Sequence, residues 1–447
     1  MAIPLASLKA PTGSPLVGHL IQLSNDPLKF LSNCSQQYGD VIPLKCAHKS
    51  GLFINKPEYV EIILKNPQTF VKSRAYHVMK SFIGEGLVTS EGTSWSQQRH
   101  LVQPVFQHQR LPNYADVMVK SAQELSETLQ SGEQRNIHDD MMKITLDIVM
   151  KCIFSEDISK QDSQTISQGL NLAHKWFENK RRAGFFFMHL LGSMDSQYQR
   201  CLHKMDTIIY RIIQERRGRS CSNKWDLLSM MIQACDEENG NQMTDQQLRD
   251  EIATLMLAGH ETTAATLSWI WMLLANNPSK LYKLEQELEA VLEKKSPTFE
   301  DMSRLSYTSC VVKEAMRLYP PVSIMGRVCN TDAMIGDYPV PQDHFVLLSQ
   351  WVMQRSPKYF NSPEQFIPER WENDLEKKLP KGVYFPFSDG SRVCIGKGFA
   401  MMETVLVLAT IAQRFRVDLV KNQKITPKQS FTLRPKEGIQ VVVTKRY

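Results

Sequence analysis

Closely spaced cysteines, long apolar runs and a marked excess of one charge are all missing from this sequence. The two closest of its nine cysteines, Cys34 and Cys46, are twelve residues apart, which excludes a zinc ribbon and a C-x-x-C-H haem attachment. An odd number of scattered cysteines indicates reduced thiols and therefore a cytoplasmic protein. Prolines interrupt the N-terminal segment, so we expect neither a signal peptide nor an integral membrane segment. Basic residues exceed acidic ones by only six (53 − 47), which gives no reason to expect nucleic acid as a partner.

Internal repeats and low-complexity linkers are missing too, so residues 1–447 are predicted to form a single domain. Short β-type runs, DVIPL and GLFIN, predict a small β-containing region over residues 1–70. Helical periodicity dominates residues 71–447, with further β-type runs at DHFVLLSQ and GIQVVVTKRY. The predicted fold class is mainly α with a minor β portion.

The longest helix is predicted between Thr244 and Pro278. Thr244 and Gln247 form a T-x-x-Q capping box, and Asn276-Asn277-Pro278 ends the helix. In its middle stands GHETT, whose polar residues disagree with burial unless they face a cavity or form pairs. A solvated patch is the alternative that this pentad alone leaves open.

Five short motifs are more specific in combination than any one of them alone. Cys394 stands in FSDGSRVCIGKGFA, a glycine-rich turn without a second cysteine. In chain order the motifs are W-x-x-x-R at Trp95–Arg99, A-G-x-E-T-T at Ala258–Thr263, E-x-x-R at Glu314–Arg317, P-E-R ending at Arg370, and F-x-x-G-x-R-x-C-x-G at Phe387–Gly396. This order resembles the cytochrome P-450 family of haem-thiolate monooxygenases, in the form of a soluble bacterial-type chain. The resemblance covers essentially the whole sequence.

The resemblance implies the cytochrome P-450 fold, a triangular, helix-rich single domain. Haem b (iron protoporphyrin IX) would lie between the long central helix and the helix after the cysteine loop. Cys394 would then be the metal ligand. A cysteine thiolate in that position donates electron density that favours O–O cleavage. Backbone N–H groups and a helix N-terminus are expected to keep that sulfur ionised. Gly390 and Gly396 would permit close backbone approach, and Arg392 would pair with a haem propionate.

The resemblance places the GHETT segment across the other haem face. Ala258 would leave space for O₂, Thr262 would hold the group that receives protons, and Glu261 would relay those protons. Glu261 and Thr262 are therefore the expected catalytic residues. His260, at its helical position, should point elsewhere and take no part.

Further haem contacts and a structural cluster follow from the same resemblance. The expected cofactor-binding residues are Trp95, Arg99, Ala258, Arg327, Phe387, Arg392, Cys394 and Gly396. Glu314, Arg317 and Arg370 are expected to form a cluster that braces the cysteine loop. Its loss would cost haem incorporation, because one member would remain as an unpaired buried charge.

An apolar, adaptable substrate pocket is also implied. Its candidates are Phe82, Ile83, Val88, Leu255, Ala258, Val322, Ile324 and Met325, together with Met79 and Leu87. Each of them is as well explained by plain core packing. The segment RRAGFFFMHLL, residues 181–191, occupies the place of the family's substrate lid, either as an apolar entrance or as a surface that touches membrane lipid.

Electrons are expected from a separate protein, because no flavin or iron–sulfur domain follows the last strands. Four lysines near the cysteine loop suit an acidic ferredoxin or flavodoxin with its reductase: Lys377, Lys378, Lys381 and Lys397. An ordinary solvated lysine face is the alternative. We expect a monomer.

The predicted activity inserts one oxygen atom of O₂ into an apolar small molecule, a fatty acid or a terpenoid-like compound. Fold does not fix function, so two alternatives stay open at this point. One is a peroxide-driven or O₂-independent isomerase or dehydratase on the same haem, which would need no proton relay for O₂. The other is a haem sensor or binding protein without turnover.

Overall fold

A computed structural model describes residues 3–73, 75–155, 158–183, 192–218, 226–235, 240 and 242–446. Helix makes up 58% of it and the β portion is small, which confirms the predicted fold class.

The helices are α1 Leu20–Asn25, α2 Pro27–Tyr38, α3 Pro57–Lys65, α4 Ala75–Ile83, α5 Gly92–Val102, α6 Leu111–Glu127, α7 Ile137–Phe154, α8 Lys160–Ala183, α9 Gly192–Arg217, α10 Leu227–Gln233, α11 Asp245–Asn276, α12 Pro278–Leu292, α13 Ser306–Leu318, α14 Gln350–Met353, α15 Leu375–Lys378 and α16 Lys397–Arg414. The strands are β1 Val41–Cys46, β2 Lys49–Ile54, β3 Phe70–Lys72, β4 Gln134–Asn136, β5 Ile324–Cys329, β6 Ala333–Ile335, β7 Tyr338–Val340, β8 Phe345–Ser349, β9 Phe415–Leu419, β10 Pro427–Gln429, β11 Leu433–Pro435 and β12 Gln440–Lys445.

The chain forms two compact units, each built from segments distant in sequence. The first unit contains Met1–His77, Cys310–Cys394 and Pro427–Arg434. The second contains Val78–Ser309, Ile395–Thr426 and Pro435–Tyr447. The single domain predicted over the whole chain stays a prediction.

The first unit is organised around a five-stranded sheet. Its strand order is β1-β2-β8-β5-β3, in which β2 and β8 run parallel and the other neighbours are antiparallel. The β-type runs in the first 70 residues and at DHFVLLSQ are thus confirmed as strands of one sheet. A core that includes Leu52, Ile54, Phe70, Val346 and Leu348 packs on it.

The second unit is organised around α11, whose predicted ends are confirmed. Thr244 caps the helix, Gln247 completes the capping box, and Asn277 closes the 32-residue helix just before Pro278. Helix α7 packs along α11, and the ring of His138 lies 3.0 Å from the Ser268 hydroxyl. β12, the strand predicted at GIQVVVTKRY, joins β4 and β9 in a three-stranded antiparallel sheet.

No described helix combines the length and apolar character that crossing a bilayer requires. The predicted lid continues beyond α8, and its residues 184–191 lie outside the described part of the chain.

Candidate active site

The middle of α11 carries one face that is not fully buried. Between Glu251 and Leu274, all of which the structure describes, partial exposure is confined to Leu255, Leu257, Ala258, Gly259 and Thr262. All of these except Leu257 share one side of the helix, because each residue advances the helix by about 100°. The rest of the pentad, His260, Glu261 and Thr263, is buried. The pentad is therefore not a solvated patch, and its partly open face is the one that carries Ala258 and Thr262.

Thr262 is tied to the backbone of its own helix. Its Oγ1 donates a hydrogen bond of 2.7 Å to the carbonyl oxygen of Ala258, one turn earlier. A hydroxyl has one donor and two acceptor positions, so Thr262 Oγ1 keeps acceptor capacity for a water on the open face. Gly259, beside it, has a packing reason of its own, because a Cβ there would lie 3.1 Å from Val149 Cγ2 on α7.

His260 points away from that face, as expected from its helical position. Its ring bonds the backbone of Met142 on α7, and burial lowers its pKa to about 4, although the neighbouring Glu261 carboxylate opposes this shift. The imidazole is therefore neutral near pH 7. A neutral ring committed to α7 is a packing residue.

Glu261 pairs with a histidine that the sequence analysis did not single out. Its Oε1 lies 2.5 Å from Nε2 of His174 on α8, and Glu261 itself is 1% exposed. The two residues are distant in sequence, so no local pattern reveals the contact. The carboxylate next to Thr262 is thus positioned by α8.

The cysteine loop is held by its own backbone. The Cys394 N–H donates to the Phe387 carbonyl oxygen at 2.9 Å, and Asp389 accepts from the Gly390 N–H at 2.8 Å. Gly390 has φ +69°, and a Cβ there would lie 2.5 Å from the Leu64 carbonyl oxygen. Only glycine fits this left-handed, tightly packed position. At Gly396, by contrast, a Cβ would only touch Phe106 at 3.9 Å, so no protein atom demands glycine there.

Cys394 differs from most other cysteines in its exposure. Burial raises the pKa of Cys34, Cys46 and Cys329 to about 11, and that of Cys152 well above the ordinary value. These groups stay as neutral thiols, because an apolar environment disfavours the thiolate. Cys394 is exposed. Cys235 is the other exposed cysteine in the described part of the chain.

The structure brings Glu314, Arg317 and Arg370 together in the first unit. Glu314 and Arg317 are both fully buried and form a bidentate pair, with two bonds of 2.8 Å. Arg370 Nε donates to Glu314 Oε1 at 2.9 Å. A buried charge pair of this kind is strongly coupled, unlike a surface pair at the same helical spacing.

Two further donors complete the carboxylate's hydrogen bonds. The indole Nε1 of Trp371 donates to Glu314 Oε2 at 2.8 Å, and the Ile367 N–H donates to Oε1 at 3.0 Å. Arg317 in turn donates to the carbonyl oxygens of Gln354, Pro363 and Gln365. Three segments of the first unit, at Gln354, Pro363–Ile367 and Arg370–Trp371, are thus fixed to one carboxylate–guanidinium pair. Trp371 follows the P-E-R motif directly, and that adjacency was the available sign of its role.

Arg327 is a buried guanidinium in β5, 6% exposed. Within the described residues it has no carboxylate partner, and its one hydrogen bond runs from Nη1 to the Gly326 carbonyl oxygen at 3.1 Å. A buried cation calls for an anion, so this side chain suits a carboxylate from a ligand. Trp95 and Arg99 are half-buried one turn apart on α5, and Phe387 and Arg392 are half-buried in the cysteine loop.

The pocket candidates fall into both units. Met79, Phe82, Ile83 and Leu87 are buried in the second unit, whereas Val88, Leu255 and Ala258 are partly exposed. In the first unit Met325 is buried and Val322 is partly exposed. Ile324 packs against a different core cluster from Met325, because successive strand residues point to opposite sheet faces. Ile324 and Met325 therefore cannot line the same wall.

Comparison with known proteins decides the family. The family model for cytochrome P450 matches residues 8–443. The chain belongs to the cytochrome P450 family. The P450 is 32% identical to the cyclooctatin synthase of Streptomyces melanosporofaciens, over 95% of this chain and 93% of that protein. It is 31% identical to the cyclooctat-9-en-7-ol 5-monooxygenase of the same organism, over 93% of this chain and 90% of the relative. It is 27% identical to the pentalenene oxygenase of Streptomyces avermitilis, over 98% and 97% of the two chains.

Membership makes the chain a cytochrome P450 monooxygenase with a haem-thiolate iron. The side chains of this P450 fit such a group on three separate counts. Cys394 supplies an exposed thiol on a rigid loop, Arg327 supplies a buried cation without a carboxylate, and α11 supplies a partly open face that carries Ala258 and Thr262. The family also uses redox partners together with an apolar substrate and O₂.

Glu403 is a buried acid of the P450 that the sequence analysis missed. It lies on α16 with no exposure, and neither carboxyl oxygen has a hydrogen bond of ordinary geometry to a described residue. Burial raises its pKa well above the ordinary value, although the Thr263 hydroxyl works in the opposite direction. Burial therefore favours the neutral, protonated form of this acid. A glutamate inside an amphipathic helix pattern gives no sign of this state.

Replacing Glu403 with glutamine should change the pH dependence of stability. A raised folded-state pKa means that wild type binds more protons folded than unfolded, so it loses stability as pH rises above about 4.3, the unfolded pKa. Glutamine lacks this titration. The free energy of unfolding of Glu403→Gln, relative to wild type, should rise by about 1.4 kcal/mol per pH unit until the folded pKa is reached. Urea unfolding at several pH values measures it, with the exposed Glu293→Gln as control. If the free energy of unfolding changed with pH in the same way for wild type and Glu403→Gln, Glu403 would titrate in the folded protein as it does in the unfolded one, and the prediction would be wrong.

Proposed function

We propose that Cys394 is the thiolate ligand of a haem b and that this P450 hydroxylates an apolar small molecule. The exposure of Cys394 on a loop fixed by Gly390 and by the Cys394–Phe387 hydrogen bond carries this assignment. The buried cysteines have raised pKa values and are poor thiolate donors. When bound, the thiolate-ligated haem activates O₂ and supplies the oxygen atom that enters the substrate.

Several basic side chains and an indole are the proposed cofactor contacts. Arg327 and Arg392 would bind its propionates with charge-assisted hydrogen bonds, and Trp95 with Arg99 would contribute an indole donor and a guanidinium. The buried position of Arg327, without a carboxylate among the described residues, supports its share most strongly. Glu314, Arg317 and Arg370 brace the chain that leads to the cysteine loop.

Protons would be managed on α11. Thr262 Oγ1, whose own proton goes to the Ala258 carbonyl oxygen, would accept a hydrogen bond from a water and hold it on the open face. Glu261 and His174, 2.5 Å apart, would hold an exchangeable proton one residue away from Thr262. The two residues would thus have separate roles. Thr262 would position the water that donates a proton, and Glu261 would supply a proton to replace the one donated.

The substrate we propose is a terpenoid-like hydrocarbon or, as second choice, a fatty acid. Two relatives are named for cyclooctatin and for cyclooctat-9-en-7-ol, and a third for pentalenene. The candidate pocket residues of this chain are apolar, which suits such ligands. Electrons would come from an acidic ferredoxin or flavodoxin, which the exposed Lys377, Lys378, Lys381 and Lys397 would attract.

A ligand screen by difference spectroscopy tests the proposal. Terpenes and fatty acids are added to the haem-loaded ferric protein, and a low-to-high spin shift would report a compound that binds in the pocket. A shifting compound should then yield a product carrying one atom of labelled O₂ when a ferredoxin, its reductase and reductant are present. Turnover with peroxide alone, and none with reductant plus O₂, would contradict the proposal.

A further inference from the structure

The turn after α4 lies directly against the first half of α11. The Glu85 N–H donates to Asp250 Oδ2 at 2.9 Å, and the Leu87 N–H donates to Glu251 Oε2 at 3.2 Å. Asp250 and Glu251 are 5% and 0% exposed. Two adjacent buried carboxylates thus bind two N–H groups of one turn. Burying two acids is costly unless they are hydrogen-bonded, and these two N–H groups supply such bonds.

The two glycines of the turn show how closely it approaches the helix. Gly84 has φ +59°, and a Cβ there would overlap the Asp250 carboxylate. A Cβ on Gly86 would overlap the Thr254 hydroxyl and lie 2.8 Å from the Asp250 carbonyl oxygen. The position of the turn is therefore set by direct contact with α11, and no larger residue leaves it in place.

A second helix holds the turn from its other side. Gln98 on α5 donates from Nε2 to the Glu85 carbonyl oxygen at 2.7 Å and accepts from the Ser90 hydroxyl at 2.7 Å. Thr89 closes the turn by donating from Oγ1 to the Gly84 carbonyl oxygen at 2.6 Å. The turn is consequently a fixed element between α5 and α11.

A buried arginine extends this arrangement to α9. Arg249, 5% exposed, donates from Nη1 to Asp250 Oδ1 at 3.0 Å and from Nε to Asp206 Oδ1 on α9 at 2.8 Å. Gln246 also donates to Asp250 Oδ1, at 2.9 Å. The guanidinium balances the Asp250 charge, so a continuous set of polar contacts joins α9, α11 and the turn.

We infer that Asp250 and Glu251 are positioning residues for substrate selectivity. They fix the turn that carries Leu87 and Val88 against the same helix that carries Leu255 and Ala258. The distance between two proposed pocket walls is thereby set by polar contacts outside the pocket. This inference rests on the proposed function, because it takes those four residues as the walls.

The test compares two iron-binding probes, imidazole and the larger 4-phenylimidazole, in the haem-loaded protein. Glu251→Leu removes the carboxylate that accepts from the Leu87 N–H, so the turn should move. We expect 4-phenylimidazole affinity to fall about ten-fold, while imidazole affinity, haem content and the reduced carbon-monoxide spectrum stay unchanged. Glu251→Gln keeps an acceptor oxygen and should restore the affinity. Asp245→Asn, on the first turn of α11 and outside these contacts, is the matched control.

Gly86→Ala provides a second variant in which every charge is retained. Its Cβ should push the turn off α11 and produce the same selective loss of 4-phenylimidazole affinity. Unchanged 4-phenylimidazole affinity in both variants would overturn the inference. Equal weakening of both probes would overturn it as well, because the residues would then support the haem site in general. A wild-type protein without the thiolate carbon-monoxide band would instead refute the proposed function itself, which separates the two failures.

Discussion

Glu314→Gln should yield a protein that is destabilised by roughly 3–5 kcal/mol and retains little haem. The carboxylate accepts five hydrogen bonds, from Arg317 twice and from Arg370, Trp371 and the Ile367 N–H. Glutamine removes the negative charge and replaces one acceptor oxygen with an NH₂ group. That NH₂ group would face N–H groups that are themselves donors. Arg317, with no exposure, would remain as a buried cation without its carboxylate. The measurements are the haem-to-protein ratio after purification and the denaturant midpoint.

Glu376→Gln is the matched control for this variant. Glu376 pairs with Lys313, next to Glu314 in sequence, but the two side chains are 34% and 29% exposed. An exposed ion pair contributes about 1 kcal/mol or less, so this variant should keep its haem and its midpoint. Equal losses in the two variants would mean that the buried cluster has no special part in bracing the cysteine loop.

Thr262→Ala should uncouple the enzyme, so that reductant is still consumed but little product is formed. Alanine is a good helix former and only a hydroxyl is removed, so the fold, haem content and ligand affinity should stay near wild type. The lost group is the acceptor that we propose would hold a water on the open face of α11. Without that water, reduced oxygen should leave as hydrogen peroxide, and product per reductant consumed should fall at least ~10-fold. Product and peroxide are titrated in the same reaction.

Two variants on the same helix control for this result. Thr262→Ser keeps the hydroxyl and should restore coupling. Thr266→Ala removes a hydroxyl that makes the same kind of backbone contact one turn later, with Oγ1 2.9 Å from the Thr262 carbonyl oxygen, and should remain coupled. Full coupling in Thr262→Ala would show that a substrate hydroxyl or another ordered water supplies the proton.

Structural features that depend only on neighbouring residues could be predicted from the sequence. The ends of α11 follow from a capping box and a terminal Asn-Asn-Pro, and both are confirmed because a cap depends on residues within one turn. The rigid turn at Gly390 was indicated by its glycines for the same reason. Strands β1, β2 and β8 of the first unit were predicted as strands, but their pairing was not. The parallel contact of β2 with β8 joins segments about 300 residues apart, and no local pattern encodes it.

The contacts that position the site are also long-range, which explains why they were missed. His174 on α8 contacts Glu261 on α11 directly. Glu251 accepts a hydrogen bond from a turn 164 residues earlier in the chain. Glutamate and histidine at such positions look like ordinary helix-surface residues in sequence. Burial decides their role, and burial depends on the packing of the whole unit.

The reduced carbon-monoxide spectrum of Cys394→Ser tests the central claim most directly. Serine donates far less electron density than a thiolate, so the strongly red-shifted band of wild type should be lost. Cys235→Ser, which alters the other exposed cysteine of the described residues, should keep that band. A Cys394→Ser protein that retains the band would contradict the account, because another residue would then be the iron ligand.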